Sequence, residues 1–278
     1  MSLINNMGFS AVKELFVDEN KDYKDIDMDY VLLDGANEAY KKLLSSVQKP
    51  LKIILLYGYP GSGKTAMMHR LYSNIKKDNG QILYYPTPTF MEDGELLRVF
   101  KTNCKKRIPS QPTFFELVEL FVKNFEQDSF LVLLDEAQLY SDREMEYIRL
   151  LSDTKIFKFI VALHRLEEEH LIAKAHFQSR IWENIELSPL NQEELRFFVE
   201  RKLLSKNANQ VISMFSNKDY KLIHEFTRGN IRESMKYMYK LFDFYEYLET
   251  HLPSEVDYKK IKTKHLEMMA IEGGYVNV

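Results

Sequence analysis

The chain has 278 residues, of which 45% are apolar, 13% aromatic and 28% charged, with 38 basic against 41 acidic side chains and a net charge of -3. That composition belongs to a globular protein of one large or two modest domains, and it excludes disordered and fibrous classes. A single cysteine, Cys104, excludes an internal disulfide framework and a cysteine zinc site, and the acidic balance argues against a chain built mainly to coat nucleic acid.

Residues 1–50 are mixed and charged, with aromatic anchors at Phe9, Phe16, Tyr23 and Tyr30. A helix is predicted over 37–47, where Ala39, Tyr40, Leu43 and Leu44 share a face. Lys52-Ile-Ile-Leu-Leu-Tyr57 is a near-continuous apolar run, the signature of a strand buried on both faces. A helix follows over 65–75, then a strand over 81–85 stopped by Pro86 and Pro88. Helices over 94–105 and 113–125 are separated by Pro109 and Pro112. Strands over 130–134, 157–163 and 182–187 are expected, with a helix over 142–152. Alternating strands and helices imply a parallel sheet covered on both faces. After Pro189 only helical periodicity remains, over 192–205, 217–226, 230–249 and 257–270. Asn191 and Glu194 form a capping-box signature at the first of these. The domain boundary is therefore expected near 188, giving 1–187 as an α/β domain and 188–278 as an all-α one. The start has no signal-peptide pattern, and no apolar run is long enough to span a membrane. The expected location is the cytoplasm.

Glycine supplies the sharpest clue, because the chain has only ten and Gly58, Gly61 and Gly63 fall within six residues. Gly58-Tyr59-Pro60-Gly61-Ser62-Gly63-Lys64-Thr65 matches the phosphate-binding pattern G-x-x-x-x-G-K-[ST], with a buried strand before it and a helix after it. Small residues let successive backbone N–H groups curl around phosphates, and the helix start, with Ala66, adds its positive end. Lys64 would reach the β- and γ-phosphates and the Thr65 hydroxyl would hold Mg²⁺. Asp135 and Glu136 close the apolar strand 130–134. Asp135 is the expected second magnesium residue and Glu136 the expected general base for an attacking water.

Further motifs follow in order: Asp135-Glu-Ala-Gln138, Arg149-Leu-Leu-Ser-Asp-Thr154, Phe159-Ile-Val-Ala-Leu-His164, Phe177-Gln-Ser-Arg180, Ile185-Glu-Leu-Ser-Pro-Leu190 and Arg228-Gly-Asn-Ile-Arg232. Together they resemble the AAA+ ATPases over about 15–250, and more narrowly the ExeA/GspA (MshM-like) branch. Transposition ATPases and origin-recognition initiators share much of the same order. The resemblance implies a three-layer αβα sandwich with a parallel five-stranded sheet, followed by a small helical lid, and it supplies the preference for ATP. It gives His164 the place of a γ-phosphate sensor. It gives Arg180 the place of an arginine finger acting on a neighbouring subunit of a homo-oligomer, with Arg165 as the other candidate. It gives Arg232 the place of a second sensor reaching the nucleotide from the lid, although Ile231 stands where the family has proline. By the same analogy the task is assembly of a cell-envelope secretion, pilus or DNA-uptake machine through a protein partner. A DNA-associated ATPase of transposition or replication initiation stands second. The ExeA type continues into a membrane span and a peptidoglycan-binding domain; the sequence ends at Val278 with neither, as expected of a cytoplasmic part or a shorter relative, peripheral to the inner membrane through its partner.

Other features read as structure. Lys101, Lys105, Lys106 and Arg107 complement a helix C-terminus. Lys259, Lys260, Lys262 and Lys264 read as a solvated helix face, and the aromatic stretch 237–247 as lid core. His164, His170 and His176 lack a helical ligand spacing for zinc.

Overall fold

The computed structural model describes residues 8–17, 33–50, 52–77, 81–106, 111–165 and 178–276. Tyr23, Tyr30, Arg107, Pro109, His170, His176 and Phe177 lie outside them. The chain divides into two compact units, Glu38–Leu187 on one hand and Met1–Asn37 with Ser188–Val278 on the other. Among the described residues, no helix is long and apolar enough to cross a membrane.

The first unit is built on five strands: β1 (Ile53–Gly58), β2 (Ile82–Tyr85), β3 (Phe130–Leu134), β4 (Phe157–His164) and β5 (Ile181–Leu187). All pair in parallel, in the order β2-β3-β4-β1-β5. β3 is buried along its whole length and β4 along all but its last residue, which is why both read as continuous apolar runs rather than alternating ones. β5 lies at the edge and alternates, leaving Trp182 exposed. A short α1 (Phe9–Lys13) lies in the N-terminal segment and α2 (Asp34–Val47) precedes β1, while helices α3 (Lys64–Lys77), α4 (Glu95–Asn103), α5 (Phe114–Asn124) and α6 (Asp142–Asp153) join the strands. Capping boxes start two of them: the Thr113 hydroxyl accepts from the Glu116 N–H, and the Ser141 hydroxyl from the Glu144 N–H. One face of the sheet carries an aromatic core of Phe100, Phe121, Phe130, Phe157 and Phe159. This is the AAA+ P-loop fold.

The second unit is helical: α7 (Gln192–Leu204), α8 (Asn209–Ser213), α9 (Asn217–Thr227), α10 (Ile231–His251) and α11 (Thr263–Glu272). Asn191 and Glu194 make the expected capping box. Tyr237, Phe242 and Tyr245 of α10 are buried in its core, as the aromatic stretch suggests. Two expectations are corrected here. The units divide at Leu187/Ser188, and the N-terminal segment groups with the helical unit rather than with the sheet. The reason is packing: Phe9 stacks against Phe242, and tilted ring contacts join Phe16 to Phe242 and Phe9 to Tyr245. The last helix begins at Thr263 rather than 257. Residues 257–262 take a turn in which Asp257 accepts from the Lys259 N–H, and Lys262 and Lys264 pair with Glu255. The four lysines therefore do not share a helix face.

Gly229 shows how tightly the helical unit is built. Its φ is +68°, and a Cβ placed there would lie 2.1 Å from the Leu190 carbonyl oxygen. The Leu190 N–H in turn donates to the Gly229 carbonyl at 2.9 Å. Gly229→Ala would carry both a left-handed backbone and a backbone clash, costing about 2 kcal/mol or more. A lowered midpoint in denaturant unfolding is the expected result, and an unchanged midpoint would contradict this backbone geometry.

Candidate functional site

The C-terminal ends of β1, β3 and β4 lie at one edge of the sheet, with Gly58 in register with His164. This edge collects the residues that the motifs single out. The loop 58–63 turns sharply: Gly61 and Gly63 have φ of 79° and 94°, open to glycine at no steric cost. Gly58 is forced for a different reason. A Cβ there would meet the Leu187 carbonyl oxygen at 2.6 Å and the Ser62 Oγ at 2.7 Å. A side chain would thus push the loop off β5.

Lys64 opens α3 and is only 6% exposed. Its Nζ donates to the carbonyls of Gly58 and Tyr59 at 3.0 and 3.1 Å, which holds the ammonium inside the loop. The Ser62 Oγ is buried without a hydrogen-bond partner among the described residues. Asp135 is 1% exposed and accepts from the Glu136 N–H at 2.9 Å and the Tyr84 hydroxyl at 3.4 Å. Burial raises the Asp135 pKa above the ordinary carboxylate value, against the lowering influence of Thr65, the Glu136 N–H and the charge of Lys64. An ammonium, a buried orphan hydroxyl, a threonine hydroxyl and a desolvated carboxylate fit a phosphate chain and its divalent cation. Thr65 and Asp135 are the residues that would hold Mg²⁺.

Glu136 follows Asp135 in a left-handed conformation, φ 49° and ψ 40°. That reversal turns the chain off the end of β3 into a short helical turn, Ala137–Leu139. The Gln138 amide donates to Glu136 Oε2 in a close hydrogen bond. His164 Nε2 stands 3.6 Å from the same oxygen. The motif order places His164 at the end of β4 but gives no sign that it faces Glu136, and it gives Gln138 no role.

The two arginines differ sharply in place. Arg165 sits at the same edge, paired with Glu186 at 2.7 Å and with its guanidinium 5.3 Å from the centre of the Tyr59 ring. Arg180 immediately precedes β5, whose first residue pairs with Ile53 at the start of β1. β1 has six residues, so Arg180 lies roughly 20 Å of strand away from its own phosphate loop. There it makes two hydrogen bonds to Asp153, at 3.2 and 3.0 Å, beside Lys52 at 2.6 Å and Arg149 at 2.8 Å from the same carboxylate. Arg232 stands in the first turn of α10, behind the Asn230 cap, in the helical unit.

Residues 48–172 match the model of a family described as AAA domain. No curated protein matches the sequence. Similar solved structures include Cdc6p from Pyrobaculum aerophilum, at 13% identity over 85% of this chain and 66% of that one, with a TM-score of 0.60. The Aeropyrum pernix ORC1 protein in complex with DNA is 14% identical over 94% of this chain and 69% of that one, TM-score 0.57. The Thermotoga maritima RuvB Holliday junction branch migration motor is 16% identical over 84% and 68%, TM-score 0.53. At such identities the likeness is one of fold, and the chain spans about two thirds of the length of each.

Proposed function

We propose that this AAA+ ATPase holds MgATP on residues 58–66 and hydrolyses it with Glu136 as general base, using the cycle to assemble or remodel a partner complex. The observation that carries the reading is the buried Asp135 at the end of β3, accepting from the Glu136 N–H, with the Lys64 ammonium held inside the loop 58–63. Thr65 and Asp135 would hold Mg²⁺, which would supply positive charge to offset that on the phosphates. The protein does the rest. Loop N–H groups and Lys64 bind the phosphates. Glu136 takes a proton from water aligned with the leaving ADP. His164, beside Glu136, reports on the γ-phosphate, and Arg232 is the second sensor of the nucleotide.

Arg180 completes the site in trans within a homo-oligomer. Its distance from its own loop supports that assignment, because a side chain at the opposite edge can act only on a neighbour. Arg180→Ala should lower turnover by about 10³-fold or more while leaving nucleotide affinity near the wild-type value. Mixing Arg180→Ala with Lys64→Ala subunits should restore part of the activity, since the first keeps a phosphate loop and the second keeps a finger. No rescue at any concentration, with wild-type activity strictly linear in protein, would make Arg180 a structural partner of Asp153 and nothing more.

For the biological task, a DNA-associated role has one observation in its favour: similar folds include the Aeropyrum ORC1 protein in complex with DNA and Drosophila ORC bound to DNA. The net charge of -3 weighs against it. The envelope-assembly role rests on the order of motifs shared with the ExeA/GspA branch. Adding duplex DNA to the ATPase assay separates the two, since stimulated turnover supports the DNA-associated role and unchanged turnover the other.

A further inference from the structure

Asp153 breaks a local rule. It is the last residue of α6, whose closing turn carries no basic side chain. A helix C-terminus is the negative end of the backbone dipole and favours cations, so a carboxylate there works against its own helix. The fold offsets this with three cations on one carboxylate. Lys52 Nζ stands 2.6 Å from one oxygen, and an Nη of Arg149 2.8 Å from the other. Arg180 adds a fork, its Nε 3.2 Å from the first oxygen and an Nη 3.0 Å from the second. Arg149 also has a carboxylate of its own in Glu146, at 2.6 Å. The charge count decides how this cluster behaves. When Arg180 leaves, Asp153 keeps Lys52 and Arg149, so no bare carboxylate is stranded. While Arg180 stays, it shares one negative charge with two other cations, so its hold is weaker than that of an exclusive pair.

The backbone at Arg180 is tied to the sheet, its carbonyl accepting from the Ile53 N–H at 3.3 Å. Release is therefore a matter of the side chain alone, which is 25% exposed. The fork of N–H groups that grips a carboxylate suits a phosphate equally well. A nucleotide phosphate brings more negative charge than a carboxylate already shared three ways. We propose that Asp153 is a releasable latch on Arg180. In the separate chain it holds the guanidinium on its own subunit, and the phosphates on a neighbouring subunit compete it away. This rests on the assignment of Arg180 as a finger acting in trans. An equilibrium shifts only by the difference in affinity between its two states. Each productive contact between subunits must therefore overcome the latch. The latch raises the protein concentration at which trans hydrolysis begins, and it leaves the rate of the assembled site unchanged.

The test measures phosphate release from MgATP against protein concentration for the full wild-type chain, Asp153→Asn and Lys52→Met. Asparagine keeps the size of the side chain and removes its charge. Half-maximal specific activity is expected at about fivefold lower protein concentration than in the wild type, with the plateau near the wild-type value. Lys52→Met acts in the opposite sense. It removes a competitor for the carboxylate, tightens the hold on Arg180, and should move the half-maximum to higher concentration. It serves alone if Asp153→Asn fails to fold. In an Arg180→Ala background neither substitution should change the residual activity, because the latch has nothing left to hold. An unmoved half-maximum in either folded variant overturns the proposal. So does a plateau in Asp153→Asn lowered as far as in Arg180→Ala, which would make Asp153 a support that aims the arginine. An effect of Asp153→Asn that persists in the Arg180→Ala background would make its role structural and overturn the latch as well. Should mixing Arg180→Ala with Lys64→Ala restore no activity, the trans reading of Arg180 falls and the latch with it. Should mixing restore activity while Asp153→Asn leaves the half-maximum in place, only the latch falls.

Discussion

Lys64→Ala is expected to abolish nucleotide binding at ordinary ligand concentrations. The ammonium is buried at the mouth of α3 and held by two loop carbonyls, so it faces a phosphate chain already desolvated and already aimed. Each charge-assisted hydrogen bond from such a group contributes about 1.5–3 kcal/mol, and two of them correspond to a loss of about 100-fold or more in affinity. Alanine is a good residue at the start of a helix, so the fold should persist. Equilibrium binding of a fluorescent ATP analogue with Mg²⁺ measures the effect. Affinity within the wild-type range would remove the phosphate loop from the account.

Glu136→Gln is expected to bind MgATP and not turn it over. General-base catalysis is worth about 10²–10⁴ in rate, and an amide cannot take the water's proton. The structure explains why binding should survive. Glutamine at 136 can still accept the Gln138 N–H through its carbonyl oxygen, so the turn after β3 keeps its internal bond. The Glu136 backbone N–H still caps Asp135, leaving the magnesium residues in place. A nucleotide-loaded chain should accumulate, and self-association should be easiest to see in that state. Single-turnover phosphate release compared with nucleotide binding on the same sample decides the point. Turnover at the wild-type rate would show that another group is the base.

Most of the candidate site is legible in the sequence because local chemistry dictates it. The loop 58–65 needs small residues at fixed spacing. Strands β3 and β4 need continuous apolar runs, and Asp135 and Glu136 mark where one of them reaches the functional edge. What local pattern does not encode is long-range pairing. Arg180 meets Asp153, 27 positions earlier, and nothing in either neighbourhood announces it. Phe9 and Phe16 look like isolated apolar anchors, yet they pack on Phe242, more than two hundred residues later. Helices of five residues, such as α1 and α8, are too short to show a period. Gln138 reads as one letter of a motif; its hold on Glu136 depends on the left-handed backbone at 136, which no propensity would assign to glutamate.

The central claim, MgATP hydrolysis by Glu136 at the edge formed by β1, β3 and β4, is tested most directly by phosphate release from ATP. The wild-type chain is measured with Mg²⁺ and with a chelator, alongside Glu136→Gln with Mg²⁺. The account predicts turnover in the first sample alone. Phosphate release from the wild type no greater than from Glu136→Gln, across the full range of protein concentration, would contradict it.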